Sequence, residues 1–404
     1  MNPLLQRLQP YPFERLRQLF AGLTPAPGLR PISLGIGEPR HATPAFIEDA
    51  LKGAMAGLSV YPATAGEPRL REACAAWVGS RYDVTLDPAT QVLPVLGTRE
   101  ALFSLAQTVI DPTVRGPRGE KPVVLCPNPF YQIYEGSALL AGAEPWYVPS
   151  DPARNFAVDW ASVPPEVWAR TQLVYCCSPG NPTGAVMPLP EWKTLFELSE
   201  RHGFVIASDE CYSEIYFRDE PPLGALEAAQ SLGRGFDRLV ALTSLSKRSN
   251  VPGLRSGFVM GDAAILKPFL LYRTYHGSAM SLVVQTASVA AWGDEAHVIA
   301  NREQYRAKFA QVMPVLQGLL DVRLPDAAFY LWAGVPAAWQ GSDTAFAREL
   351  MAQYNVTVLP GSYLAREARG HNPGAGRVRM ALVAETAECL EAAGRVADFI
   401  RSRS

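Results

Sequence analysis

Residues Gln172–Gly184 read QLVYCCSPGNPTG, and this stretch decides the fold. After Gln172, its next five residues form a continuous apolar run, the pattern of a strand covered on both faces rather than one. The run stops at a loop with two prolines and two glycines, which freeze the backbone and leave one amide, Asn181, projecting. Helical spacing follows over Leu189–His202, and then a second apolar run, Phe204–Ser208. Strand, helix and strand in succession, with both strands mostly apolar, predict neighbouring strands of a parallel sheet.

Working outward, the same alternation predicts further strands at Gln91–Leu96, Pro122–Cys126, Glu144–Val148, Arg238–Thr243 and Ser256–Met260, with a helix over Thr98–Val109. Together these give a mostly parallel, seven-stranded sheet sandwiched by helices. Residues 23–31 and 111–121 read as loops. Residues 262–310 read as long helices, followed by short strands at Phe329–Trp332, Val356–Leu359 and Arg377–Ala381 mixed with helices. The expected organisation is an N-terminal arm with part of a small domain (1–40), a large α/β domain (41–275) and a smaller α+β domain (276–404).

The composition agrees. The 404 residues are 48% apolar and 19% charged, below the usual quarter, as in a compact, well-buried enzyme. A net charge of −2 gives no general attraction to nucleic acid or an anionic membrane. The six cysteines include no CxxC, the N-terminus has no long apolar stretch of a signal peptide, and no run is long and apolar enough to span a membrane. The expectation is a cytoplasmic protein with reduced thiols.

Ligands of open α/β sheets sit outside the carboxyl ends of the strands. After Gln91–Leu96 come Gly97, Thr98 and Arg99, where a helix start offers free N–H groups to an anion. Tyr131, after Pro122–Cys126, is an aromatic able to stack on a planar ring. Asp209, after Phe204–Ser208, is an acid that is unfavourable at an apolar strand end unless paired. After Arg238–Thr243 come Ser244, Ser246 and Lys247, with Arg255 eight residues on: hydroxyls and a guanidinium suited to a dianion. Only six of the 37 cationic residues are lysine, and Lys247 alone directly follows a predicted sheet strand. Lys52, Lys193 and Lys308 fall in helical patterns and read as solvated. An anion cradle, an aromatic plate, an amide, an acid and a lysine together describe a pyridoxal phosphate site. Taken singly, each also fits a turn, a cap or a core residue.

These motifs resemble the class I aminotransferases of the fold-type I pyridoxal phosphate family. The resemblance runs from SLGIGEP (33–39) through Tyr61-Pro62 and Gly66 to RVRMA (377–381). Its most specific parts are Asn181-Pro182-Thr183-Gly184 and Ser244-Leu245-Ser246-Lys247 with Arg255. The wording of SLGIGEPRH, CPNPFYQIYEG, SPGNPTGAV and SLSKRSNVPGLRSGFV is closer still to bacterial succinyldiaminopimelate aminotransferases.

The resemblance implies pyridoxal 5'-phosphate as cofactor. It implies that Lys247 bonds the cofactor and shuttles the proton, its amine made less basic by burial beside Arg255. Asp209 would face the ring nitrogen, Tyr212 and Asn181 the ring oxygen, and Tyr131 the ring plane. Gly97, Thr98, Ser244, Ser246 and Arg255 would cradle the phosphate, Arg99 joining through its backbone N–H. Tyr61 would reach the phosphate across a homodimer interface. Arg379 would hold the substrate α-carboxylate beside Gly37 and Asn181. Arg40 is the first choice, ahead of Arg99 and Arg248, to read the distal end of the substrate. The reaction implied is ping-pong transfer between N-succinyl-LL-2,6-diaminopimelate and 2-oxoglutarate. An aminotransferase or β-lyase acting on aspartate, aromatic amino acids, kynurenine or cysteine conjugates is the alternative.

Other classes lack their signatures. Gly35–Arg40 starts like GxGxxG but places Arg40 at the third glycine and Pro39 in the turn, and there is no GxxxxGK[ST], HExxH or GxSxG. No metal site is expected. A cofactor-binding regulator would carry a DNA-binding domain ahead of the core, but motif-bearing sequence begins by about residue 33.

Overall fold

The computed structural model describes residues 1–403. Eight strands build the large sheet: β1 (Val92–Val95), β2 (Val123–Asn128), β3 (Glu144–Asp151), β4 (Ala157–Val158), β5 (Thr171–Cys177), β6 (Val205–Asp209), β7 (Leu239–Ser244) and β8 (Gly257–Gly261). Their order is β1-β8-β7-β6-β5-β2-β3-β4. β2 runs parallel to β3 and β5, and β5, β6 and β7 continue in parallel. β8 is antiparallel to both its neighbours. The seven expected strands are all present. The eighth, β4, is a two-residue antiparallel edge on β3, too short to leave a periodic signal.

Alternate residues of the central strands enter opposite cores. Val174, Cys176, Ile206, Leu239 and Ala241 belong to one apolar cluster, and Leu173, Tyr175, Ala207, Val240 and Leu242 to the other. Each strand therefore buries both faces, which is why it reads as an unbroken apolar run. Burial of this kind contributes roughly 1.5–3 kcal/mol per large side chain.

A second core forms around a three-stranded antiparallel sheet of Tyr330–Gly334, Arg377–Ala381 and Leu359–Pro360. Helices Ala296–Leu316, Asp343–Tyr354 and Thr386–Arg401 supply its apolar faces. Ile32 and Leu34 join this core, and the strand Ile32–Ser33 pairs in parallel with Val356–Thr357.

Helix Leu282–Trp292 departs from the expected boundary at 275/276. It packs on helices Ala45–Gly53 and Pro68–Tyr82 and gives Ala287, Ala291 and Trp292 to a large-sheet core. Its apolar face matches that core, so the second core begins with the next helix. No helix among the described residues is long and apolar enough to cross a membrane.

Candidate active site

A cavity of about 600 Å³ opens at the carboxyl ends of the large-sheet strands, against the second core. Lys247 reaches it from the one-turn helix Leu245–Arg248 that follows β7. Its Nζ donates to the carbonyl of Gly37 at 2.7 Å. Burial holds the amine down at about 8; the positive charges of Arg379 and Arg99 push the same way, against Cys211 and Glu38. Arg255, the cation expected to do this, is instead turned to the carbonyls of Pro252 and Leu96.

Asp209 is the last residue of β6 and only 4% exposed. It accepts from Tyr134 Oη at 2.9 Å and from the Cys211 N–H at 3.4 Å. Burial pushes its carboxyl upward, and no basic side chain among the described residues forms an ion pair with it. A buried acid left without a cation suits a protonated ring nitrogen. Tyr212 Oη hydrogen-bonds Tyr330 Oη at 2.9 Å, and burial pushes the Tyr212 phenol up.

Arg379 projects from strand Arg377–Ala381 over the Tyr330 ring, 4.3 Å from its centroid. Nη1 donates to Asn181 Oδ1 and Nη2 to the Gly35 carbonyl, both at 2.9 Å. Its Nε is buried without a partner. Because Asn181 Oδ1 accepts from Arg379, the Asn181 amide nitrogen remains a donor. Gly37 is required by close approach, since a Cβ there would overlap the Tyr330 ring.

Arg255, Thr98, Ser244 and Ser246 form the other wall with the start of helix Thr98–Val109. Arg255 adopts a left-handed backbone, φ 52°, and its guanidinium donates to the carbonyls of Pro252 (3.0 Å) and Leu96 (3.3 Å). Gly97 has φ 82°, and a Cβ there would collide with that guanidinium. Gly97 is thus a clearance for Arg255 rather than part of the lining. Hydroxyls, a guanidinium and a helix start make an anion cradle. Thr98 Oγ1 lies 2.9 Å from Cys211 Sγ, which lies 3.8 Å from Ser244 Oγ. Tyr131 also lines the cavity; its hydroxyl accepts from Arg99 Nε at 2.6 Å, and its ring stands edge-on to Tyr134.

Two expected site residues are not brought in. Arg40 turns outward to pair with Glu388 at 3.2 Å, its side chain half exposed. The chain from Gly37 passes toward helix Thr386–Arg401, which captures the guanidinium. Tyr61 is fully exposed and does not line the cavity. Arg248, weighed as a distal reader, is buried over the rings of Trp77 and Trp292 and donates to the carbonyls of Ala291 and Asp294. It is structural. Arg99 alone of the three arginines lines the cavity. An unpaired buried acid, a neutralisable lysine and an anion cradle fit pyridoxal phosphate.

A family model described as aminotransferase class I and II matches residues 30–396. The chain belongs to this family. As an aminotransferase it is pyridoxal-phosphate-dependent, acting on amino and oxo acids. It is 31% identical to the LL-diaminopimelate aminotransferase of Dehalococcoides mccartyi over 99% of this chain and 98% of that one. A solved aminotransferase structure from Neisseria meningitidis shares 54% identity with a TM-score of 0.95, covering 99% and 100% of the two chains. A structure titled probable N-succinyldiaminopimelate aminotransferase, from Thermus thermophilus, shares 26% identity with a TM-score of 0.82, covering 96% and 99%.

Sequence reasoning missed three aminotransferase site residues. Tyr134 lies in the first turn of helix Ile133–Leu140 and Tyr131 lies before that helix, so no helical spacing links the two in the sequence. Tyr330 stands on Tyr330–Gly334 directly opposite Ala381, next to the register of Arg379 with Trp332. Tyr11, from the N-terminal arm, also lines the cavity, and nothing in its local sequence marks it.

Proposed function

We propose that the enzyme transfers the α-amino group of N-succinyl-LL-2,6-diaminopimelate to 2-oxoglutarate, as a cytoplasmic step of diaminopimelate and lysine synthesis. One observation carries the reading: besides Arg255 on the anion-cradle wall, two guanidinium groups, Arg379 and Arg99, line the cavity that holds Lys247, and neither has an acidic partner among the described residues. In ping-pong transfer, donor and acceptor occupy the same site in turn, and both of these carry carboxylates at each end. Arg379 takes the α-carboxylate and Arg99 the distal one. The likeness to the Thermus structure supports the succinylated donor, and six free thiols suit a reducing compartment.

When bound, pyridoxal phosphate supplies an aldehyde for the amino group and an electron-withdrawing ring. The chain does the rest. Asp209 would hold the positive ring nitrogen, and Asn181 and Tyr212 would donate to the ring oxygen. Gly97 clears room for Arg255, which would hold the phosphate with Thr98, Ser244 and Ser246. Lys247, neutral once its proton is lost near pH 8, would take the proton from the substrate α-carbon and hold it at Nζ. The Gly37 carbonyl aims that amine. Tyr61, fully exposed beside the exposed Leu58 and Val60, suits an interface in which it reaches the partner protomer's phosphate.

A second reading is unsuccinylated LL-diaminopimelate as donor. It is favoured by Glu38, which lines the same cavity and whose carboxylate would meet a free distal ammonium, and by the name of the Dehalococcoides relative. The test is a spectrally followed half-reaction of the cofactor-loaded enzyme with each donor, alongside aspartate, phenylalanine and kynurenine. The proposal expects the succinylated compound to lead in kcat/KM by at least roughly tenfold. A lead for LL-diaminopimelate transfers the assignment to the second reading.

A further inference from the structure

Lys308 does not lie on a solvated face. It is 1% exposed on helix Ala296–Leu316, and a line of buried polar groups starts from it. Lys308 Nζ lies 2.9 Å from His41 Nε2, and it also donates to the Leu382 carbonyl at 3.2 Å. His41 Nδ1 lies 2.8 Å from Asn301 Oδ1. That oxygen also accepts from Asn250 Nδ2 at 2.9 Å. Asn301 Nδ2 reaches the carbonyls of Lys247 (3.3 Å) and Arg248 (3.5 Å).

With Lys308 as an ammonium, the hydrogens run one way along this line. The ammonium has no acceptor, so His41 Nε2 accepts and Nδ1 carries the proton. Asn301 Oδ1 then accepts from His41, and its amide donates to the backbone of Lys247. Burial and the Lys308 charge push the His41 imidazole down, consistent with the neutral ring that this order needs.

The ends of the line matter. Leu382 directly follows the strand that carries Arg379, and His41 lies four residues beyond Gly37, whose carbonyl holds the Lys247 amine. The line thus ties the segments bearing Arg379, Gly37 and Lys247 to one helix of the second core. We infer that Lys308, His41 and Asn301 are positioning residues, which fix the Lys247 backbone relative to Gly37 and Arg379 so that the amine meets the substrate α-carbon. Lys308 itself takes no part in the chemistry. A buried network of this kind is worth more as geometry than as stability, since a buried cation is itself unfavourable.

This inference rests on Lys247 being the cofactor lysine, not on which donor the enzyme uses. The test compares Lys308→Met, His41→Phe and His41→Gln in the cofactor-loaded enzyme. Met keeps the apolar stem without the charge; Gln keeps an acceptor and a donor at imidazole-like spacing. Three quantities are read: the pH midpoint of the visible band of lysine-bound cofactor, which needs no substrate, the split between kcat and KM, and Tm. For Lys308→Met and His41→Phe we expect kcat to fall roughly 10- to 100-fold with KM nearly constant. Their band midpoint should shift by about half a pH unit or more, with Tm for Lys308→Met unchanged or raised. His41→Gln should keep most of kcat. A folded Lys308→Met enzyme with unaltered midpoint and kcat would overturn the inference. So would His41→Gln as impaired as His41→Phe.

Discussion

Arg379 donates to Asn181 at 2.9 Å across 198 positions of sequence, joining a strand of the second core to the rigid loop after β5. Its second hydrogen bond, to the Gly35 carbonyl, fixes the plane of the guanidinium, and Nε is left buried and unpartnered. The fork is aimed before any carboxylate arrives. Arg379→Ala should therefore lower kcat/KM for amino donor and oxo acid alike, by roughly 100-fold or about 3 kcal/mol. Arg379→Lys should recover only part, because an ammonium lacks the planar fork. Steady-state kinetics on both substrates check this; an effect confined to one would refute a shared carboxylate site.

Arg99 and Arg40 should behave oppositely. Arg99→Gln removes the cavity cation held by Tyr131, and kcat/KM for substrates with a distal carboxylate should fall roughly 10- to 100-fold, one charge-assisted contact. Alanine as donor should be affected far less. Arg40→Ala breaks a half-exposed pair with Glu388 and should leave the kinetic constants within about twofold. Equal losses in both variants would contradict the assignment of Arg99.

The Lys247 amine sets a pH dependence. Burial disfavours its ammonium form, bringing it from the ordinary 10.5 to about 8. Only the neutral amine attacks an aldehyde. In cofactor-free enzyme, recombination with pyridoxal phosphate should accelerate as pH rises through about 8 and level off above. Stopped-flow absorbance measures it; a midpoint near 10.5 would mean an amine in contact with water.

Glu210 gives a stability prediction at the back of the site. It is 1% exposed, accepts from the Ala225 N–H and Ser208 Oγ, and is pushed up from 4.5 to about 7 by burial. The unfolded chain loses this proton near 4.5 and the folded chain near 7, so the folded state holds more protons in between. Stability therefore falls as pH rises through that window and stays reduced above it. Glu210→Gln should melt above wild type at pH 8, by at most about 3 kcal/mol of stability, with the gap closing at acid pH. Equal Tm values at pH 8 would show that the carboxylate is not penalised there.

Much of this was legible in the sequence because strands buried on both faces write themselves as unbroken apolar runs. The residues at their ends, Asn181, Asp209 and Lys247, are then conspicuous. The misreadings arose where tertiary packing overrode a local pattern. Lys308 lies among Arg302, Glu303 and Arg306 in sequence, yet it shares a helical stripe with Asn301, Tyr305 and Val312, which are buried. Position on the stripe, not the charge of near neighbours, was the informative signal. Arg40 follows the Gly37 loop in sequence but leaves it in space, drawn out by Glu388. Helix Leu282–Trp292 looks like its helical neighbours, and only its contacts with helices Ala45–Gly53 and Pro68–Tyr82 assign it to the large-sheet core.

The central claim is that Lys247 bonds the cofactor and carries the proton during amino transfer. It is tested most directly by adding N-succinyl-LL-2,6-diaminopimelate to cofactor-loaded enzyme without an oxo acid and following the visible band. Wild type should lose the band in a single turnover and release one oxo acid per site. Lys247→Ala, loaded in the same way, should show neither the lysine-bound band nor turnover. A Lys247→Ala enzyme that keeps both would contradict the account.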